Sequence, residues 1–144
     1  MEQVEIDFYP RCDDGSLPRD SALYHWYHLL MEATDTACKP LAYNTHTRQM
    51  LQQAGFTEVD EQVIRMPYHP WPLDKHEKAI GMWCLLGLTD SEYLEALSYG
   101  PFSRVLRWDK TKIDKLLADV TKEILMKKYH VYNEMHIWTG RRPA

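Results

Sequence analysis

The sequence predicts a single α+β domain over residues 1–144, with about three strands and four to five helices. Three observations lead there. Stretches near residues 3–9, 59–66 and 131–139 are strand-like, the first and last with apolar and polar residues alternating at period two. Stretches near 21–37 and 110–128 repeat apolar residues at helical spacing. The length of 144 residues is that of one domain, which buries roughly 70% of its unfolded surface without a disulfide or metal staple.

The first strand points Val4, Ile6 and Phe8 one way and Gln3, Glu5, Asp7 and Tyr9 the other. It stops at Pro10, and Cys12-Asp13-Asp14-Gly15 reads as a turn. Asp20 or Ser21 caps a helix to about residue 37, with Leu23, Trp26, Tyr27, Leu30 and Ala37 on one face. A second helix spans 44–54, with Met50, Leu51 and Ala54 inward and Gly55 as a left-handed C-cap. The second strand ends at Pro67. Tyr68-His69-Pro70-Trp71-Pro72 is a loop stiffened by its prolines. A helical stretch near 74–86 follows. Thr89 with Glu92 is a capping-box pattern for a short helix to about 99, broken by Gly100-Pro101. Asp109 caps the longest helix, near 110–128, whose stripe is Ile113, Leu116, Leu117, Val120 and Ile124. The last strand sets Val131, Met135 and Ile137 against Tyr132, Glu134, His136 and Trp138.

Composition narrows the function classes. Hydrophobic residues are 44% and charged residues 26%, values of a folded domain rather than a disordered chain. A net charge of −4 argues against a nucleic-acid partner. No apolar run reaches the roughly 20 residues of a membrane helix, and residues 1–10 carry three acids and no leader-like apolar stretch. Three widely spaced cysteines fit free thiols in a reducing compartment, so a cytoplasmic location is expected. No metal site is expected: CxxC and HExxH are absent, and His25 and His28 lack an evident third ligand. One of that pair can still serve as a general base. Five Trp, nine Tyr and seven His suit either an aromatic core or a pocket for a flat organic ligand.

Several segments, in order, carry a resemblance. They are Glu2-Gln3-Val4-Glu5-Ile6-Asp7, Cys12-Asp13-Asp14-Gly15-Ser16-Leu17, Trp26, Ala54-Gly55-Phe56 and Trp71-Pro72. Lys78-Ala79-Ile80-Gly81, His130-Val131-Tyr132 and Gly140-Arg141-Arg142-Pro143 complete the series. Together the chain resembles fungal LaeA-type methyltransferases from their fifth strand onward. The resemblance implies a truncated α/β methyltransferase fold: a mixed sheet of the fifth, sixth and seventh strands, the seventh in the middle, with helices mainly on one face. It also implies the half without the S-adenosylmethionine site, because no G-x-G-x-x-G occurs here. No cofactor is therefore expected.

On that topology two surfaces are candidates. At the rim of the sheet Asp13, Asp14, Tyr68, His69, His130 and Tyr132 would gather. Alternatively Asp13-Asp14-Gly15 is only a turn and His130 only finishes a helix. The polar sheet face carries Glu5, Asp7 and Tyr9 beside Tyr132, Glu134, His136 and Trp138, and is either solvated or the lining of a cavity. The catalytic candidates are His130, His136, Asp7, Glu134 and His25. The substrate-binding candidates are Tyr9, Trp26, Tyr68, Tyr132, Trp138, Asp13 and Asp14.

The expected function is a cofactor-independent cyclase, isomerase or dehydratase acting on a hydrophobic secondary-metabolite intermediate by pocket shape and acid/base help. A second expectation is a non-catalytic regulatory module that docks on a full-length methyltransferase or another partner. A third is a methyltransferase whose cofactor site is rebuilt by oligomerisation. A homodimer through the first strand or the sheet face is expected, since that strand would be an unpaired edge.

Overall fold

The computed structural model describes residues 1–142, with Ser91 described by its backbone alone; Pro143 of the closing motif lies outside the described residues. The elements run β1 (Glu2–Arg11), α1 (Ala22–Thr36), α2 (Thr47–Gln53), β2 (Thr57–Pro67), α3 (Lys75–Thr89), α4 (Ser91–Arg104), α5 (Lys110–Ile124) and β3 (Tyr132–Arg141). The architecture is α+β. The sheet order is β1-β3-β2, with the last strand in the middle. The mixed sheet expected from the resemblance is antiparallel in each of its two pairings, because the reversed strand β3 separates β1 from β2. No described helix is long and apolar enough to cross a membrane.

Local chemistry explains most boundaries. Ser21 caps α1, its Oγ accepting from Tyr24 N at 3.2 Å. Gly55 closes α2 at φ +90°, a conformation that costs other residues strain. Asp109 caps α5 through Lys112 N at 2.8 Å. The α4 cap is Asp90 rather than Thr89, whose hydroxyl instead donates back to Leu85 O at 2.7 Å and ends α3. Gly100-Pro101 does not break α4, which continues to Arg104. The fully buried Phe102 holds the continuation against the core, and burial of such a ring contributes about 1.5–3 kcal/mol.

The core lies on one side of the sheet. Leu23, Leu30, Phe102, Ile113 and Val120 from the helices pack with Tyr68 and Val131 beside the sheet. The other side is covered differently, by residues 43–48: Tyr43 stacks on His136, and Arg48 of α2 lies over Trp138. Val4 departs from its expected inward place, with 51% of its surface exposed, whereas Asp7 from the supposedly polar side is buried. Met50 is likewise outward.

Candidate functional site

The register places the polar cluster. Asp7 of β1 pairs with Glu134 of β3, and Glu134 pairs onward with Arg65 of β2. Two residues along β3, on the same face, stands His136, paired with Glu5 and Val63. An irregularity between Asp7 and Arg11 then shifts the register, so that Arg11 pairs with Tyr132. It brings Arg11 Nη2 to 2.7 Å from Asp7 Oδ2 and 3.0 Å from Glu134 Oε2. Burial opposes the charge of Arg11, but its bond to Asp7 and the two carboxylates outweigh that, and its pKa is raised. Asp7 also accepts from Tyr9 N at 3.0 Å.

His136 is the centre of the cluster. Its side chain is 8% exposed. Nδ1 lies 2.8 Å from Glu61 Oε1, and the same oxygen accepts from the Tyr43 hydroxyl at 3.0 Å. The Tyr43 ring stacks on the imidazole at 3.9 Å and 17°. Burial first, and the Glu61 carboxylate second, push the Tyr43 hydroxyl up to about 12, so it stays a donor at neutral pH. The far nitrogen, His136 Nε2, is buried without a hydrogen-bond partner and faces Glu134 Oε2 at 4.0 Å. Of the two readings open in the sequence, this part of the sheet face is covered rather than solvated. Trp138 stands beside it, 2% exposed.

The rim forms a second cluster, in which Asp13 and Asp14 are exposed, His130 is partly exposed and Tyr132 is buried. His130 Nδ1 lies 2.6 Å from Asp14 Oδ2, and His130 N donates to Ser16 Oγ at 2.9 Å. Hydrogen bonds from Ser16 and then Cys12 hold the Asp14 carboxyl well below the usual carboxylate range. The Tyr132 hydroxyl donates to Asp13 Oδ1 at 2.9 Å, and Arg65 lies 4.1 Å above the Tyr132 ring. With Arg65 and Trp71, the residues Asp13, Asp14 and His130 line a small pocket of ≈ 180 Å³.

The remaining candidates separate. Tyr68 does not reach the rim; it is buried and donates to Asn133 Oδ1 at 2.6 Å. Trp26 is buried as well, with Nε1 donating to Ser98 Oγ at 2.8 Å. Both line an apolar cavity of ≈ 270 Å³ on the helical side, together with Ile6, Phe8, Met66 and Leu88. Asn133 enters this cavity while its neighbours Tyr132 and Glu134 face the other way, so the acid–histidine cluster does not line it. Tyr9 packs its ring against Tyr27 of α1 at 5.4 Å. His25 is exposed on α1 and joins neither cluster.

Four members of the central cluster were not singled out from the sequence. Arg11 and Glu61 lie on strands and were readable from alternation once the strand order was fixed. Tyr43 and Arg48 come from a loop and a short helix with no such signal.

No family model matches the chain, and no solved structure matches it. Curated relatives do. The secondary metabolism regulator LAE1 of Cochliobolus heterostrophus is 49% identical over 99% of this chain and 46% of its own length. The secondary metabolism regulator laeA of Monascus pilosus is 47% identical over 99% of this chain and 38% of its own. The protein-methionine methyltransferase laeA of Emericella nidulans is likewise 47% identical, with 99% and 38% covered. The chain thus spans less than half the length of these relatives. Along nearly all of its own length it is similar to LaeA/LAE1-type secondary metabolism regulators, one of which is named a protein-methionine methyltransferase.

Proposed function

Starting from that similarity, we propose that this chain is the substrate-side part of a methyltransferase-related regulator of secondary metabolism, and that the covered sheet face around His136 is its working surface. The observation that supports this is the imidazole itself: buried, oriented by Glu61, stacked by Tyr43, and free at Nε2. A histidine oriented by a carboxylate and open at the far nitrogen can take a proton from a bound group or hold that group in place. S-adenosylmethionine would be held by other parts of the relatives' length, since this sequence has no glycine-rich fingerprint.

A second reading keeps the cofactor-independent cyclisation, isomerisation or dehydration of a hydrophobic intermediate. The ≈ 270 Å³ apolar cavity favours it. Burial pushes up the Tyr68, Cys84 and Tyr93 groups that line this cavity, so they keep their protons at neutral pH. Such a cavity would act by shape more than by base catalysis. The docking reading and the homodimer rest on β1, which has a strand partner on one side only among the described residues.

Calorimetric titration of the purified chain with S-adenosylmethionine, with the mass measured on the same sample, tests the proposal. The expected result is a folded dimer with no binding at micromolar concentration. Micromolar binding would overturn the assignment to the substrate side and favour a rebuilt cofactor site. A monomeric mass would remove the pairing through β1.

A further inference from the structure

We propose that Asp7, Glu134 and His136 form a site for a divalent transition-metal ion of the Zn²⁺ or Mn²⁺ class, with Arg11 as the side chain that the ion displaces. The inference rests on the reading of the covered sheet face as the working surface, and it names what that face would hold. One ligand atom from each of the three residues lies within 4.8 Å of the others. Ion–ligand bonds of about 2.0–2.2 Å need ligand atoms a little over 3 Å apart, so shifts of about an ångström close the set. The backbone is already in place, because Asp7 and Glu134 are cross-strand partners and His136 is two residues further along β3.

An acidic pair alone would not carry this. The independent observation is His136 Nε2, buried, without a partner, and directed at Glu134. With Nδ1 donating to Glu61, the neutral ring presents a lone pair at Nε2. A carboxylate behind the imidazole is the usual support of a metal-ligating histidine. The charges agree as well. Asp7, Glu61 and Glu134 outnumber the two guanidiniums that approach them, Arg11 and Arg48. Arg11 remains about a quarter exposed, so it has a way out toward solvent. One imidazole with two carboxylates suits Zn²⁺, Mn²⁺ or Fe²⁺ better than the all-oxygen cations Ca²⁺ and Mg²⁺. Three protein ligands leave a fourth position for water or a bound group.

The test is titration of the chelator-stripped chain with Zn²⁺ and with Mn²⁺ alone, read by calorimetry and by the mass of the complex. One ion per chain is expected. Glu61→Gln, which removes the support behind the imidazole, should weaken binding about 10- to 100-fold, and His136→Gln and Glu134→Gln, which remove ligands, by more. Arg11→Met should strengthen it, because the competing cation is gone; a fold defect would not produce that direction. Failure of both the wild type and Arg11→Met to bind would overturn the proposal. So would unchanged binding by His136→Gln, which would move the ion to surface histidines such as His25 and His28. Either failure leaves the S-adenosylmethionine titration untouched, so the substrate-side reading stands or falls separately.

Discussion

His69 carries a pH dependence that can be read from one side chain. Its residue is buried, and its backbone oxygen faces Gly81 of α3, where an added Cβ would come within 2.6 Å. Only glycine allows that approach, which fixes the stiff loop against the helix. Burial first, and the charge of Lys127 second, lower the imidazole pKa below its ordinary value. Between the folded value and about 6.5 the unfolded chain binds more protons than the folded one. The stability His69 contributes is therefore complete above about pH 6.5 and is lost as the pH falls below it. Thermal melts at pH 7.5 and 5.5 should show a larger drop for the wild type than for His69→Asn; equal drops would remove this account. At the same scale, the alternation of β1 and β3 was enough to put Asp7, Glu134 and His136 on one face. Tyr43 was not legible, because its segment has no periodicity and reaches His136 only through the tertiary fold.

Among the elements, α1 shows a device invisible to local pattern. Its N-terminus is capped twice: by Ser21, as the sequence suggests, and by Glu123 of α5. The Glu123 carboxylate accepts from Ala22 N at 3.0 Å and from Leu23 N at 2.9 Å. It satisfies two otherwise unpaired donors at the positive end of the helix dipole. Glu123→Ala should cost about 1–2 kcal/mol, seen as a lower urea midpoint with an unchanged slope. No change in the midpoint would mean that water replaces both bonds at no cost. Helix α4 gives the opposite lesson. The pair Gly100-Pro101 reads as a stop, since a proline inside a helix costs roughly 3 kcal/mol through a lost bond and a crowded carbonyl; α4 runs through it because the buried Phe102 and Leu94 together offset that cost.

For the molecule as a whole, the two sides of the sheet have different chemistry. One side meets the helical core and an apolar cavity; the other places acids, a histidine and guanidiniums under Tyr43 and α2. The division into faces follows from period-two alternation and was legible in the sequence. The order β1-β3-β2 followed from the family resemblance, because no local pattern states which strand sits in the middle. That order decides the site, since only a central β3 brings Asp7 and Glu61 to His136 from opposite sides.

The imidazole of His136 has one nitrogen tied to Glu61 and the other free. Long-range proton–nitrogen correlation spectra of the ¹⁵N-labelled, chelator-treated chain at pH 8 read this directly, where an ordinary histidine is neutral. The predicted result for His136 is a protonated Nδ1 and an unprotonated Nε2, with Glu61→Gln disturbing that assignment. A proton on Nε2 with Nδ1 bare would contradict the account, because Nδ1 would then have no proton to give Glu61 and Nε2 no lone pair to offer.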